Sequence, residues 1–224
     1  MSEYSDCLKI VNDNIIASCK KAGRSFNDVT LIAVSKTKPA EMIQGYYDIG
    51  VRDFGENKVQ EMTQKMDVLP KDIRWHMIGH LQTNKVKYIV GRVYMIHSVD
   101  SLKLAKEINK EALKKNVTVK ITVEINIGEE ESKFGEGLDS AENLVSEIRE
   151  LPNLEVVGLM CIAPFVEDGE LNRNHFKNLK NMADKLSLKE LSMGMSGDYR
   201  VAVEEGATFV RVGTSLFGMR NYNV

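Results

Sequence analysis

The sequence is poor in features that would divide or cross-link it. Its three cysteines, Cys7, Cys19 and Cys161, are odd in number, widely spaced and without a CxxC pair. A disulfide framework is therefore not expected, and reduced thiols are the simplest interpretation. Only four prolines occur, and no Pro/Gly/Ser linker, low-complexity tract or block of like charge interrupts the chain. We therefore expect one domain over residues 1–224.

Strong charge and long apolar runs are also missing. The 30 Lys and Arg residues nearly balance the 32 Asp and Glu residues, which gives a net charge of −2 and a pI of about 6.1. Such a balance gives no reason to expect binding to nucleic acid or to a membrane surface. The first ten residues carry acidic groups and no apolar core of the signal-peptide type, and no run approaches the length of a membrane span. These absences predict a soluble cytoplasmic protein.

The sequence does contain a repeated alternation of short apolar runs with helical patterns. Eight runs are typical of strands: Val29–Val34, Val51–Gly55, Trp75–Ile78, Tyr94–Ser98, Thr118–Ile127, Glu155–Ile162, Glu190–Met195 and Phe209–Val212. The helical patterns are clearest at Leu102–Leu113, Ala141–Leu151, His175–Leu186 and Tyr199–Glu205. Strands that alternate with helices indicate βαβ units and a parallel sheet.

Eight such units predict an α/β fold that closes into a single-domain (β/α)8 TIM barrel. Apolar spacing within residues 3–22 predicts an extra N-terminal helix before the first strand. A doubly wound open sheet is the alternative, but no GxGxxG motif follows the first strand.

Lys36 lies where the first predicted strand ends. Leu31–Val34 is a continuous apolar run, typical of a buried parallel strand, and Ser35, Lys36 and Thr37 follow it. The carboxyl end of a barrel strand is where α/β barrels carry their chemistry. A lysine there can form a Schiff base with a carbonyl compound. Most lysines are solvated surface charges, and Lys38 is a rival two residues away.

Glycine-containing loops follow the seventh and eighth predicted strands. The first contains Gly194, Ser196 and Gly197, and the second contains Gly213. Phosphate sites in barrels commonly form from these two loops, because backbone N–H groups can approach the anion there. Each glycine alone could be a turn residue, but the pair predicts a phosphorylated small molecule. Arg211, next to the second loop in an apolar run, needs either a carboxylate or the ligand as partner.

A metal site is not predicted. His76 and His80 are four residues apart, but WHMIGH lacks the glutamate of HExxH. The segment is typical of a strand followed by a loop, so the two side chains would not share a helical face.

Seven motifs that cover nearly the whole chain resemble the pyridoxal phosphate homeostasis protein family. They are AVSKTKP (33–39), FGENKVQE (54–61), WHMIGHLQTNK (75–85), HSVDS (97–101), GLMCIAP (158–164), LSMGMSGDY (191–199) and GATFVRVGTSLFG (206–218). The resemblance implies a barrel like that of alanine racemase and pyridoxal 5′-phosphate (PLP) as cofactor. Phe134 and Gly135 depart from the loop sequence usual in the family, which puts the shape of that loop in doubt.

The resemblance also implies a role for each matching residue. Lys36 would form the Schiff base with PLP, and Asn57 would lie beside the cofactor. Ser196 and the backbone of Gly213 and Thr214 would hold the phosphate. Arg211 would face the pyridine nitrogen, and a cationic guanidinium there makes the ring a weaker electron sink than a carboxylate would.

These roles imply a PLP-binding protein that acts in intracellular PLP homeostasis, and not an enzyme. It would hold the cofactor reversibly, limit free aldehyde and pass PLP to apo-enzymes. The chain ends at Val224, directly after the eighth unit, so we expect no second domain to supply the second acid/base group of a racemase. We also expect a monomer, because a closed barrel has no open sheet edge.

Two other functions stay open from the sequence. One is a weak PLP-dependent amino-acid racemase that recruits a base from among Tyr46, Tyr47, His80 and Tyr199. The other is a sugar-phosphate barrel in which Lys36 is an aldolase lysine.

Overall fold

The computed structural model describes residues 3–127 and 138–219, and its strands form one closed parallel barrel in chain order. The strands are β1 (Thr30–Val34), β2 (Asp53–Glu56), β3 (Arg74–Met77), β4 (Met95–Val99), β5 (Val119–Ile125), β6 (Leu154–Cys161), β7 (Glu190–Ser192) and β8 (Phe209–Val212). The predicted (β/α)8 fold is confirmed, and the open sheet is excluded because β1 pairs with both β2 and β8.

Helices surround the barrel. Those in the described residues are α1 (Glu3–Lys21), α2 (Ala40–Asp48), α3 (Val59–Val68), α4 (Val86–Ile89), α5 (Leu102–Lys115), α6 (Leu138–Arg149), α7 (Arg173–Lys185), α8 (Tyr199–Glu204) and α9 (Thr214–Phe217). The predicted N-terminal helix is α1, and it lies against α8. Asn14 donates to the Tyr199 hydroxyl at 2.9 Å, and Arg24, just after α1, donates to the carbonyls of Val203 and Ala207.

The seventh strand is shorter than predicted. The apolar pattern indicated Glu190–Met195, but β7 ends at Ser192. Gly194 has a φ of 89°, which ends the extended conformation and which other residues rarely adopt. The Met195 N–H then donates to the Asp198 carboxylate at 2.6 Å. The predicted end of the strand is therefore a loop that the Asp198 side chain closes.

Most buried apolar side chains lie between the strands and the surrounding helices. Inside the barrel the apolar cluster is small and consists of Ile32, Met95 and Phe209, with Val157 packed against it. The buried polar residues His76, His97, Thr122, Ser192 and Arg211 all belong to strands. Because so few apolar side chains fill the barrel, its interior can carry polar groups from one end to the other.

Three further expectations concern the loop at Phe134 and Gly135, membrane-spanning helices and disulfide bonds. Phe134 and Gly135, where the sequence departs from the family motif, are outside the described residues. Within 3–127 and 138–219, no helix combines the length and the apolar character needed to cross a membrane. None of Cys7, Cys19 and Cys161 forms a disulfide.

Candidate functional site

A cavity of about 610 Å³ opens at the carboxyl ends of the strands. Apolar side chains such as Val34, Ile78 and Ile162 line part of it, and the exposed Phe165 and Met195 stand at its rim. A volume of this size suits a small cofactor or metabolite. The structure brings all six predicted site residues to this one cavity: Lys36, Asn57, Ser196, Arg211, Gly213 and Thr214.

Lys36 and Lys38 both line the cavity, but their surroundings differ. Lys36 is half-buried and follows β1 by two residues. The Lys38 ammonium donates to the Phe217 carbonyl at 2.8 Å and to the Met219 carbonyl at 3.2 Å. Lys38 therefore ties the segment after β1 to the segment after β8. This contact gives Lys38 a structural role.

The backbone around Lys36 is held in a strained conformation. Thr37 has a φ of 63°, which is unusual and costly for a β-branched residue. Its N–H donates to a Glu61 carboxylate oxygen at 2.6 Å. On the other side of Lys36, the Ser35 carbonyl accepts from the Lys65 ammonium at 2.8 Å. The main chain is thus fixed by hydrogen bonds immediately before and after Lys36.

These contacts belong to a group of mostly buried polar and charged residues, which we call the Lys65 cluster: Lys65, Glu56, Glu61 and Ser35. Lys65 lies 2.7 Å from both Glu56 and Glu61, and the Ser35 hydroxyl donates to Glu56 at 2.7 Å. Burial raises the pKa of Glu56, and Lys65 opposes that rise. The apolar pattern of the sequence does not reveal this cluster, although Glu61 and Lys65 have the i,i+4 spacing of a helical ion pair.

The loops after β7 and β8 converge on the Ser196 hydroxyl. Its oxygen accepts from the Gly213 N–H at 3.2 Å and lies 3.5 Å from the Ser215 nitrogen. Asp198 is buried, and its carboxylate is engaged by the Met195 N–H and by the Asn172 amide. Backbone N–H groups and a hydroxyl therefore meet at one end of the cavity, which is a donor set suited to a phosphate.

Gly194 is required by two features of the first loop. Its φ of 89° lies in the region that disfavours other residues. In addition, a Cβ at this position would lie 2.5 Å from the Ala202 Cβ and 2.9 Å from the Tyr199 Cα. The loop can therefore approach α8 this closely only with glycine at position 194.

Arg211 is buried, only 4% exposed, and borders the cavity. Its Nη1 donates to the Ser192 hydroxyl and its Nη2 to the Cys161 carbonyl, each at 2.8 Å. Burial lowers the pKa of Arg211, while nearby acidic groups, including Glu124, oppose the change. The Ser192 hydroxyl and the Cys161 carbonyl are neutral acceptors, so Arg211 has no carboxylate among these hydrogen-bond partners. Other N–H groups of the guanidinium can therefore meet an acceptor on a ligand.

Asn57 carries an unsatisfied polar atom. Its Oδ1 is buried and has no hydrogen-bond partner within the described part of the chain. Buried acceptors are normally paired, and an exception calls for an explanation. Gly79 lies directly behind Asn57, where a Cβ would come within 2.7 Å of the Asn57 backbone. The close approach of this glycine holds Asn57 at the cavity, where its oxygen can accept from a ligand.

The side chains considered as a racemase base do not line this cavity. Each is instead bound elsewhere: Tyr46 to the Leu216 carbonyl, Tyr47 to Asp72, Tyr199 to Asn14, and His80 to Asp100. Burial raises the pKa of Tyr46 above that of an ordinary tyrosine. None of the four therefore offers a proton acceptor at the cavity in this conformation.

His76 and His80 do not converge. His76 is fully buried and contacts Asp53 and His97 inside the barrel, whereas His80 lies in a loop beside Asp100. Within the ranges that the structure describes, no group of three or more His, Cys, Asp or Glu side chains is placed to hold a metal ion.

Glu124, a buried residue near Arg211, should make the free energy of unfolding depend on pH. Burial, with a smaller contribution from Asp100, raises the pKa of Glu124 from 4.5 to about 7, although Arg211 opposes the rise. The folded state thus retains a proton that the unfolded state releases above pH 4.5. The free energy of unfolding should fall by about 3 kcal/mol between roughly pH 4.5 and 7 because of this group.

Glu124→Gln should remove the decrease in the free energy of unfolding between pH 4.5 and 7. Denaturant unfolding at a series of pH values from 4.5 to 8 measures the slope of this free energy against pH. Glu155→Gln, at an exposed position of β6, is the control and should keep the wild-type slope. Equal slopes for Glu124→Gln and the wild type would refute the assignment.

A closed parallel barrel with a lysine after β1 and glycine loops after β7 and β8 defines the class of barrels to which the N-terminal domain of alanine racemase belongs. The family model described as "Alanine racemase, N-terminal domain" matches residues 10–221. The chain belongs to the pyridoxal phosphate homeostasis protein family. It is 46% identical to the pyridoxal phosphate homeostasis protein of Aquifex aeolicus (strain VF5), over 96% of this chain and 97% of that protein.

Solved structures agree with this assignment. PipY of Synechococcus elongatus PCC7942, with PLP bound, is 35% identical and superposes with a TM-score of 0.79 over 92% of this chain and 100% of that chain. Alanine racemase of Clostridium difficile 630 superposes with a TM-score of 0.72 at 17% identity. That match covers 97% of this chain and 57% of the racemase, and it shows a shared fold alone.

Proposed function

We propose that this protein binds PLP in the cavity and holds it as a Schiff base on Lys36. The observation that carries the proposal is the meeting of three elements around one cavity. These are the half-buried Lys36, the donor groups at Ser196 and Gly213, and the buried Arg211. The PLP-bound PipY structure of a relative at 35% identity supports the same cofactor here.

The residues present fit PLP. The cofactor supplies an aldehyde that condenses with an amine, with release of water, and a pyridine ring that withdraws electrons. The Lys36 amine would take the place of the aldehyde oxygen. Ser196, with the N–H groups of Gly213 and Thr214, would hold the phosphate. The buried Asn57 Oδ1, which lacks a partner within the described part of the chain, would accept a hydrogen bond from the cofactor.

Arg211 favours a binding role over catalysis. A guanidinium is permanently charged and cannot accept a proton. Facing the ring nitrogen, it would keep that nitrogen unprotonated and limit the ring as an electron sink. We therefore propose a non-catalytic role for the protein in PLP homeostasis, in which it buffers the reactive aldehyde as a cytoplasmic monomer and releases PLP to apo-enzymes.

Weak amino-acid racemization is the second candidate, because the fold is shared with alanine racemase. The four side chains considered as a base are bound away from the cavity. Incubation of the PLP-loaded protein with L-alanine, followed by chiral chromatography, separates the two functions. Absence of D-alanine above a protein-free PLP control supports the binding role, and turnover that scales with protein concentration contradicts it.

The binding proposal can be tested by titrating the purified protein with PLP and, in parallel, with pyridoxal, which lacks the phosphate. We expect PLP to produce a visible absorption band with saturation at one equivalent, and pyridoxal to bind at least about tenfold more weakly. No uptake of PLP, or equal affinities for the two compounds, would contradict the proposal.

The phosphate end of the site leads to a prediction for Ser196. Ser196→Ala removes the hydroxyl on which the two loops converge, and the loss of one hydrogen bond to a charged group should cost about 1.5–3 kcal/mol of PLP binding. The dissociation constant for PLP should rise about tenfold or more, while binding of pyridoxal should change little. Ser101→Ala, at the N-cap of α5, is a matched control and should leave both affinities unchanged.

A further inference from the structure

A continuous row of buried polar side chains runs through the barrel towards Arg211. It begins at Asp53, the first residue of β2, which Arg74 binds through two nitrogens. His76 Nε2 lies 3.0 Å from Asp53 Oδ1, and His76 Nδ1 lies 2.9 Å from His97 Nε2. Both histidines are fully buried.

The row continues from His97 to the cavity. His97 Nδ1 lies 2.8 Å from the Ser192 hydroxyl, which accepts from Arg211 Nη1 at 2.8 Å. Every step is therefore within hydrogen-bond distance. We call this row the barrel relay, which consists of Asp53, His76, His97 and Ser192.

The two ends of the barrel relay fix the direction of each hydrogen bond. Arg211 can only donate, so Ser192 accepts from it. At the other end, burial alone would raise the pKa of Asp53, but the hydrogen bonds with His76 and Arg74 hold it below its usual range, so this carboxylate only accepts. His76 must therefore carry its proton on Nε2 to donate to Asp53.

Burial lowers the pKa of both histidines, and for His97 the nearby His76 and Arg211 add to the effect. Asp53 opposes this effect at His76. At pH 7 and above, each ring is therefore neutral and has one N–H. With the His76 proton on Nε2, His76 Nδ1 must accept from His97 Nε2–H. His97 Nδ1 must then accept from the Ser192 hydroxyl. A single arrangement thus satisfies every atom of the row.

We propose that the barrel relay is a positioning device that fixes the orientation of the Arg211 guanidinium at the cavity. Asp53 fixes the proton of His76 on Nε2, and His76 in turn fixes the proton of His97 on Nε2. The Ser192 hydroxyl must then donate to His97 Nδ1, which leaves an oxygen lone pair to accept from Arg211. Two neutral imidazoles also avoid a second cation beside Arg211. The role of Arg211 towards the cofactor ring rests on the proposed function, whereas the relay itself does not.

The first test reads the tautomers directly and needs no cofactor. The chain has only four histidines, so ¹⁵N-histidine NMR spectra can be assigned with His80→Gln and His175→Gln, which lie outside the relay. We expect His76 and His97 to be neutral with the proton on Nε2 throughout pH 7–8. A proton on Nδ1 of either ring, or an imidazolium in this range, would overturn the relay.

The second test compares Ser192→Ala with Thr122→Val in the PLP-loaded protein. Thr122 is also buried inside the barrel, but its hydroxyl donates to the His97 carbonyl and is not part of the relay. In Ser192→Ala the guanidinium loses an acceptor. We expect the pH midpoint of the visible cofactor band to move by at least about 0.5 unit. The ¹⁵N resonance of His97 Nδ1 should also shift, because this nitrogen loses its hydrogen-bond donor, while the proton stays on Nε2.

Thr122→Val should keep the wild-type midpoint and tautomers. Identical midpoints and His97 spectra for Ser192→Ala and Thr122→Val would overturn the positioning role. If the wild type takes up no PLP, the proposed function fails, and the His97 spectra of the two variants alone decide the relay.

Discussion

Replacement of Lys65 by Met is expected to lower the free energy of unfolding by about 3–5 kcal/mol. Lys65 is buried, with its ammonium 2.7 Å from both Glu56 and Glu61. Glu56 is fully buried, so the substitution leaves its carboxylate without a cation in a site that water does not reach. The Ser35 carbonyl loses its donor as well, and the turn that presents Lys36 should loosen.

Denaturant unfolding measures this loss directly. Lys106→Met is the control, because Lys106 is exposed on α5 and makes no ion pair within the described residues, and it should change stability by less than about 0.5 kcal/mol. The double variant Lys65→Met/Glu56→Gln should recover part of the loss, because it removes the buried charge that the single variant leaves unpaired. A single variant as stable as the control would show that the cluster does not hold this turn.

Gly158→Ala is expected to cost about 3 kcal/mol or more in the free energy of unfolding. A Cβ at position 158 would lie 1.8 Å from the Glu190 carbonyl oxygen, and backbone atoms cannot move aside as a flexible side chain can. Strands β6 and β7 would have to separate. These strands carry the Cys161 carbonyl and the Ser192 hydroxyl, both of which bind Arg211, so PLP affinity should fall as well.

Gly197→Ala provides the comparison for stability. A Cβ there meets nothing within 4 Å, and its φ is not positive, so the free energy of unfolding should stay within about 0.5 kcal/mol of wild type. A melting temperature for Gly158→Ala equal to that of Gly197→Ala would contradict the packing described for β6 and β7.

The fold and the cavity residues could be predicted because they follow the ends of apolar runs. Parallel strands of a closed barrel place their carboxyl ends together, so Lys36, Ser196 and Gly213 had to converge once the strands were recognised. The end of β7 was predicted wrongly because the apolar pattern continues through Met193 and Met195. The φ of Gly194 and the side chain of Asp198, which apolar periodicity does not register, end the strand at Ser192.

The supports behind the cavity could not be predicted from the pattern. Lys65 belongs to an amphipathic helix in which most charged residues are solvated, so burial of its ammonium depends on the facing Glu56. His97 lies in a recognised motif, but its link to Ser192 spans 95 residues and depends on strand register. Such contacts are tertiary, and no local spacing encodes them.

Reduction of the PLP-loaded protein with borohydride, followed by peptide mass spectrometry, tests the central claim most directly. Reduction fixes a Schiff base as a stable secondary amine, so the modified peptide identifies the lysine that held the cofactor. We expect one label, on Lys36, which Lys36→Ala abolishes and Lys38→Ala retains. A label on Lys38 or on another lysine, or a protein that takes up no PLP, would contradict it.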